Sequence, residues 1–142
     1  MTARGQIVKA MVIIQRPRDG ALLVSESHDP AGAVFHRPLG GHVEIGERAA
    51  DTARREITEE IGQQLEDLRQ LDVLENIFQW DGETQHEVVF MFAARLADEA
   101  AYEIAEQHVL DSPDGRTRVI WRPPGATTPP LYPVGTSKLV LG

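Results

Sequence analysis

Three glutamates, Glu56, Glu59 and Glu60, stand within five consecutive residues. On a helix this spacing places all three carboxylates on one face, where they repel one another. A divalent cation reverses that repulsion, and oxygen ligands of this kind are the ones that Mg²⁺ and Mn²⁺ prefer. The spacing therefore indicates a metal site. A solvated acidic helix face is the alternative, because runs of charge usually lie on the surface.

The segment that carries the glutamates, residues 47–61, has the apolar periodicity of an amphipathic helix. Its apolar stripe recurs every four residues, at Ala49, Ala53, Ile57 and Ile61. At about 100° per residue, Glu56 and Glu60 lie beside this stripe, so we expect them where the helix meets a sheet and water is partly excluded. Gly62 fits the end of the helix.

Further residues stand at fixed distances from the glutamates. Five residues separate Gly41 from Glu47, and seven more separate Glu47 from Arg55, which opens the run Arg-Glu-Ile-Thr-Glu-Glu-Ile-Gly. Residues 41–63, here called the box, closely resemble the signature of the Nudix hydrolase family. One position departs from it: Gln63 stands where the family has an apolar residue. Gln63 follows the helix end, so we expect it to affect packing more than catalysis.

The resemblance implies a fold of the α/β class. This is the Nudix α/β/α sandwich, in which the loop and helix of the box pack against a mixed central β-sheet, here as a single domain over residues 1–142. Shorter stretches outside the box are also similar to family members, although less specifically, at residues 37–41, 75–78, 86–90 and 130–133.

The resemblance assigns the metal site to the box. It implies that Mg²⁺ or Mn²⁺ is bound by Glu56, Glu59 and Glu60, with the Gly41 carbonyl as a further ligand. The implied reaction is hydrolysis of a diphosphate linkage by in-line attack of a metal-activated water, with a carboxylate as the base. No activated Ser, Cys or His stands out, so we predict no covalent enzyme intermediate.

The base is one of three candidate catalytic carboxylates. Glu60 is the first choice and Glu87 the second, and Glu59 is counted with them. Glu87 begins a predicted strand after a turn, where its side chain can face a cleft. An ordinary surface charge on an edge strand is the alternative for this residue.

Other residues near the box have supporting roles by the resemblance. Glu47 and Arg55 match the pair that braces the loop of the box against the helix, and Gly40 provides a tight backbone path beside it. Arg37 and His42 are candidate substrate-binding residues, since arginine suits phosphate and His42 lies within the loop. A surface position is the alternative for both.

Aromatic residues could stack on a nucleobase, although packing is the favoured interpretation of each one. They are Phe78, Trp80, Tyr102, Trp121 and Tyr132. His36 precedes Arg37 and could also approach phosphates. The spacings of the five histidines match no zinc pattern.

The box leaves the substrate open. Candidates are nucleoside triphosphates, oxidised nucleotides, ADP-ribose and dinucleoside polyphosphates. A non-catalytic nucleotide-sensing module of the same fold is the alternative function. Such modules typically lose carboxylates of the box, and all three are present here, which favours an enzyme. A structural protein that carries the box by coincidence is a third hypothesis. The resemblance also implies a homodimer, since Nudix proteins are often dimers.

The composition fits one globular domain of 142 residues. A net charge of −8 argues against binding to nucleic acid, which usually needs a basic face. It does not argue against a small nucleotide bound together with a metal. The absence of cysteine excludes disulfides and thiolate metal sites and fits a cytoplasmic protein. Residues 1–6 are polar and the apolar runs are short, so we expect neither a secretory signal nor a membrane span.

The remaining pattern predicts strands on both sides of the helix. We expect a hairpin of residues 7–14 and 21–25, followed by a mixed strand-like segment at residues 34–44. Three later strands are expected at residues 69–80, 87–96 and 117–121. Asp81 and Gly82 predict a hairpin turn. Short helices are expected at residues 102–106 and 135–141, and a proline-rich surface loop at residues 123–133.

Overall fold

A computed structural model describes residues 5–110 and 117–141 of the chain. This part of the chain contains seven strands: β1 (Ile7–Ile13), β2 (Leu22–His28), β3 (Val34–His42), β4 (Leu65–Trp80), β5 (Glu83–Leu96), β6 (Glu106–His108) and β7 (Arg118–Arg122). It also contains one α-helix, α1 (Ala49–Ile61), and 3₁₀ turns at Glu99–Glu103 and Thr136–Leu139. The expected strands and the helix of the box are therefore present, with shifted ends.

The strands form one sheet in the order β4-β5-β1-β3-β2-β7-β6. β1 runs parallel to β5, and the other neighbouring pairs are antiparallel. This mixed sheet with the helix of the box packed on it confirms the expected fold class.

The apolar stripe of α1 attaches the helix to one face of the sheet. Ala53 and Ile57 are fully buried, in one cluster with Val12 of β1 and Leu39 of β3. Alanine in the stripe lets the helix axis approach the sheet closely. Gly62 ends the helix in a left-handed conformation with φ of 70°, which glycine adopts without steric cost.

The C-terminal segment covers the other face of the sheet. The side chains of successive strand residues point to opposite faces of the sheet, so the Met11 side chain lies on the face opposite to that of Val12. Met11 packs with Met91 of β5 and with Leu131 and Leu139 of the C-terminal segment. The sheet thus lies between two layers. No helix among the described residues is long and apolar enough to cross a membrane.

Two local expectations are wrong. The turn after β1 closes as expected, with the Arg16 N–H donating to the Ala21 carbonyl at 2.8 Å. Beyond this turn, however, β3 pairs with both β1 and β2 and separates them, so the two strands do not form a hairpin ladder. The helix expected at residues 102–106 is a 3₁₀ turn at Glu99–Glu103, and Glu106 instead begins β6, because β7 offers it a partner.

Candidate active site

The box begins at the end of β3, where the strand lies beside β1. Gly40 and Gly41 pair with Met11 and Ala10. A Cβ at Gly40 would overlap the backbone of both β1 residues, so a side chain at Gly40 would force the two strands apart. A Cβ at Gly41 would overlap the carboxyl group of Glu56. Gly41 therefore makes room for one of the candidate metal ligands.

Arg55 of α1 braces the loop of the box. Its guanidinium donates two hydrogen bonds to Glu47, from Nε to Oε2 at 2.7 Å and from Nη2 to Oε1 at 2.9 Å. Nη2 also donates to the His42 carbonyl at 3.1 Å. The Thr52 hydroxyl donates to Glu47 Oε1 at 2.6 Å. The structure thus brings Glu47 and Arg55 together in the bidentate geometry that suits this pair of groups.

The same arginine contacts two of the three glutamates. Its Nη1 donates to Glu56 Oε1 and to Glu59 Oε2, each at 3.1 Å. The Glu56 side chain is 14% exposed and that of Glu59 is 44% exposed, whereas Glu60 is buried. Glu56 and Glu60 therefore lie at the border between helix and sheet, and Glu59 faces solvent.

This donor set fits a hard divalent cation. All three side chains offer carboxylate oxygens, and the Glu56 carboxyl group lies against the backbone of Gly41, whose carbonyl is an oxygen donor of the same kind. Within the described residues, the acidic and histidine side chains do not converge as a ready-made cluster of three ligands. Arg55 instead neutralises Glu56 and Glu59 directly, which is the electrostatic task that a cation would take over.

A cleft of about 500 Å³ opens beside the box. Both candidate substrate-binding residues, Arg37 and His42, line it together with Lys9 of β1. Lys9 and His42 are partners in the ladder between β1 and β3. His42 also directly follows Gly41, so the cleft and the box meet at this corner.

Glu87 lies in an interior strand, since β5 begins at Glu83 and stands between β4 and β1. It is 5% exposed, so the alternative of an edge-strand surface charge is wrong. Lys9 Nζ lies 2.7 Å from Glu87 Oε2, and Asn76 Nδ2 donates to Oε1 at 3.1 Å. All three side chains line the cleft.

Sequence reasoning missed Lys9 and Asn76 as cleft residues. The available signal was a lysine that interrupts an otherwise apolar strand, because a charge in such a place needs a partner. Burial is the main cause that lowers the pKa of Lys9, and the nearby charge of Arg37 adds to it, while the hydrogen bond to Glu87 opposes both. Lys9 is thus a desolvated cation that one carboxylate keeps in place.

Three of the five aromatic candidates line the cleft, namely Phe78, Trp80 and Tyr132. The Phe35 ring, which sequence reasoning also missed, lies 6.0 Å from the Trp80 ring and 5.9 Å from the Tyr132 ring. The other two, Tyr102 and Trp121, pack against each other at 5.8 Å. His36 is buried in a separate network with Glu26 and Arg122.

The comparison with protein families decides the identity of the fold and the box. The model of the NUDIX domain matches residues 5–131 of the chain. The chain belongs to the Nudix family. This assignment confirms the resemblance that the box indicated and makes the protein a Nudix-type hydrolase.

Solved structures agree with this Nudix assignment at the level of the fold. A MutT NUDIX hydrolase from Burkholderia pseudomallei is 24% identical, with a TM-score of 0.68 over 96% of each chain. The E. coli ORF135 protein is 20% identical, with a TM-score of 0.55 over 95% of this chain and 86% of that one. A NUDIX hydrolase from Nitrosomonas europaea is 19% identical, with a TM-score of 0.54 over 66% of this chain and 61% of that one, which is less than two thirds of its length. The comparison with curated proteins gave no match.

The brace of the Nudix box is expected to make stability depend on pH. Hydrogen bonds from Arg55 and Thr52 lower the pKa of the Glu47 carboxyl group from 4.5 to about 2. The folded chain therefore holds this carboxylate charged at pH values where the unfolded chain protonates it. Its contribution to stability is complete above pH 4.5 and is lost as the pH falls towards 2.

Urea denaturation at a series of pH values measures this contribution. We expect the free energy of unfolding of the natural chain to fall more steeply with decreasing pH over this range than that of Glu47→Gln. Parallel pH profiles for the two proteins would show that the brace does not couple the protonation of Glu47 to folding.

Proposed function

We propose that this Nudix enzyme hydrolyses the diphosphate linkage of a nucleoside diphosphate derivative with Mg²⁺ or Mn²⁺ as its cofactor. The observation that carries the proposal is the meeting of the box with the cleft. The Glu56 carboxyl group lies against the backbone of Gly41, and the next residue, His42, lines the cleft. Carboxylates for a cation thus lie beside a cavity whose walls include Lys9 and Arg37, and this combination suits a phosphate ligand bound together with a metal.

Glu56, Glu59 and Glu60 are the residues that would hold the cation, with the carbonyl of Gly41 as a further ligand. A divalent cation bound there would neutralise charge on the phosphoryl oxygens and lower the pKa of a water molecule. Nη1 of Arg55 contacts Glu56 and Glu59, whereas the bonds of Arg55 to Glu47 come from Nε and Nη2. The loop can therefore stay braced when Nη1 releases the two carboxylates.

Glu60 is the better candidate for the base. Both oxygens of Glu87 already have partners, Lys9 on one and Asn76 on the other. Protonation of Glu87 would break a buried ion pair and leave the lysine charge without compensation, which is costly. We therefore assign Glu87 the task of holding Lys9 at the cleft, and we take Glu60, the first choice by the resemblance of the box, as the proton acceptor. Glu59 remains a ligand of the cation.

The cleft walls suit the two ends of a nucleotide. Lys9 and Arg37 supply positive charge for phosphate oxygens, which ammonium and guanidinium groups both bind. The exposed rings of Trp80 and Tyr132 offer apolar faces for a base. A volume of about 500 Å³ is that of a small-molecule site. Nucleoside triphosphates, oxidised nucleotides, ADP-ribose and dinucleoside polyphosphates therefore all remain candidates.

Several wider features of the protein also remain proposals. The net charge of −8 supports a small nucleotide rather than a nucleic acid as the ligand. The lack of cysteine supports a cytoplasmic location, and the length of 142 residues supports a single domain. β4 forms an outer edge of the sheet and exposes Val73 and Ile77, which supports a homodimer.

The test is an assay of released phosphate and diphosphate. The panel contains dGTP, its oxidised form, ADP-ribose and diadenosine polyphosphates, each with Mg²⁺, with Mn²⁺ and with a chelator. We expect turnover of one class of substrate, and we expect the chelator to stop it. Turnover that persists in the chelator would contradict the metal dependence. Tight binding of one nucleotide without turnover would instead establish a nucleotide-sensing module.

A further inference from the structure

A buried arginine on β7 holds the segment that forms one wall of the cleft. This segment, residues 126–134, is here called the strap. Arg122 is 5% exposed, and its guanidinium donates to two strap carbonyls, from Nη1 to Pro129 at 2.5 Å and from Nη2 to Ala126 at 2.8 Å. Burial lowers the pKa of Arg122. The strap carbonyls stabilise the buried charge of the guanidinium, and the guanidinium in turn fixes the positions of these carbonyls.

His36 connects Arg122 to the strap a second time. The Arg122 Nη1 lies 3.0 Å from the His36 Nδ1. Because a guanidinium can only donate, Nδ1 accepts, and the ring proton is on Nε2, 2.8 Å from Glu26 Oε2. The His36 backbone pairs directly with the strap, since its N–H donates to Pro130 at 2.9 Å and its carbonyl accepts from the Tyr132 N–H at 2.8 Å. Side chain and backbone therefore fix the same short segment.

The strap carries Tyr132 into the cleft. Tyr132 is 41% exposed, its ring lies 5.9 Å from that of Phe35, and three further strap residues line the same wall: Pro130, Pro133 and Val134. The guanidinium of Arg122 bonds the strap backbone, so it affects the cleft through the position of this wall.

We infer that Arg122 and His36 are positioning residues that set nucleotide affinity by holding the strap, and with it Tyr132, in place for the base. The inference rests on the proposed function, because it concerns the ligand of the same cleft. A wall that is already ordered loses little conformational freedom when a ligand binds, whereas a loose one loses more and binds more weakly. The carboxylates of the box lie on other elements, so the effect belongs to KM rather than to kcat.

The test compares Arg122→Met with Arg95→Met, a matched arginine control on β5. Arg95 is exposed and pairs with Glu66 and Asp67 of β4, away from the network of Arg122 and His36. For the panel substrate that the natural chain hydrolyses fastest, we expect Arg122→Met to raise KM about tenfold while kcat changes less than about threefold. Arg122→Lys should recover part of the lost affinity, since lysine keeps the positive charge but not the two diverging N–H donors of the guanidinium. Arg95→Met should leave both constants near their natural values.

A double variant separates positioning from general loosening of the fold. If Arg122 acts through Tyr132, then Arg122→Met should add little to the KM of Tyr132→Ala, because the two substitutions remove the same contact. Additive effects, or an unchanged KM in Arg122→Met, would overturn the inference. His36→Gln provides the same test if Arg122→Met does not fold.

The two proposals can fail separately. If no panel member is hydrolysed, the proposed function fails, and the dissociation constant of Mg²⁺-ADP then replaces KM as the readout. Weaker binding of Mg²⁺-ADP by Arg122→Met than by Arg95→Met supports the positioning role, and equal binding overturns it.

Discussion

Glu60→Gln is expected to lower turnover by a factor of ~10²–10⁴, which is the loss that removal of a general base produces. α1 buries this residue beside the sheet, at 8% exposure. Glutamine keeps the size and polarity of the side chain but cannot accept the proton or bind a cation as a carboxylate does. The measurement is kcat at saturating Mg²⁺ on the substrate that the panel identifies, with thermal unfolding followed in parallel to show that the fold is kept.

Asp51→Asn is the matched control for this result. Asp51 lies on the same helix, its side chain is 64% exposed, and its ion pair with Arg54 spans 3.6 Å. Exposed ion pairs of this kind contribute little to stability. We therefore expect Asp51→Asn to keep kcat within about twofold, and the free energy of unfolding within about 1 kcal/mol, of the natural chain. Full activity of Glu60→Gln together with an inactive Glu87→Gln would show that Glu87, and not Glu60, is the base.

Gly41→Ala is expected to lower activity by about 10–100-fold, the usual cost of disturbing the surroundings of a metal ligand. The added Cβ would overlap the Glu56 carboxyl group, which must then move. The backbone at Gly41 is not in the left-handed region, so the effect is one of space rather than of backbone strain. We expect the loss to appear as a higher Mg²⁺ concentration for half-maximal rate.

Gly5→Ala controls for the substitution itself. A Cβ at Gly5 would meet nothing within 4 Å, so activity, Mg²⁺ requirement and melting temperature should not change. A Gly41→Ala variant with the natural Mg²⁺ requirement would show that the position of the Glu56 carboxylate against the backbone does not matter for the cation.

Local patterns made the helix and the box predictable from the sequence. A stripe of apolar residues at helical spacing defines α1 and the face that it buries, and the same geometry places Glu56 and Glu60 at the border of that face. Asp81 and Gly82 both have positive φ, as the expected hairpin turn requires. Each of these features depends on residues a few positions apart, so a linear pattern contains them.

Features that depend on distant residues were not predictable in the same way. β3 separates β1 from β2 because its two edges pair with different strands, and no local signal orders the strands. Lys9 and Glu87 meet only because β1 and β5 are parallel neighbours. Arg122 holds the strap by binding two of its carbonyls. The sequence shows the strap only as part of a proline-rich segment and gives no sign of this contact. These contacts form when the sheet assembles, and they shape the cleft.

The central claim is that the carboxylates of the box hold a divalent cation beside the cleft. Titration of Mn²⁺ followed by electron paramagnetic resonance, with ADP present, tests it directly in the natural chain, in Glu56→Gln and in Asp51→Asn. We expect the natural chain and Asp51→Asn to bind Mn²⁺ alike and Glu56→Gln to bind it at least about tenfold more weakly. Equal binding by Glu56→Gln, or no binding by the natural chain, would contradict the account.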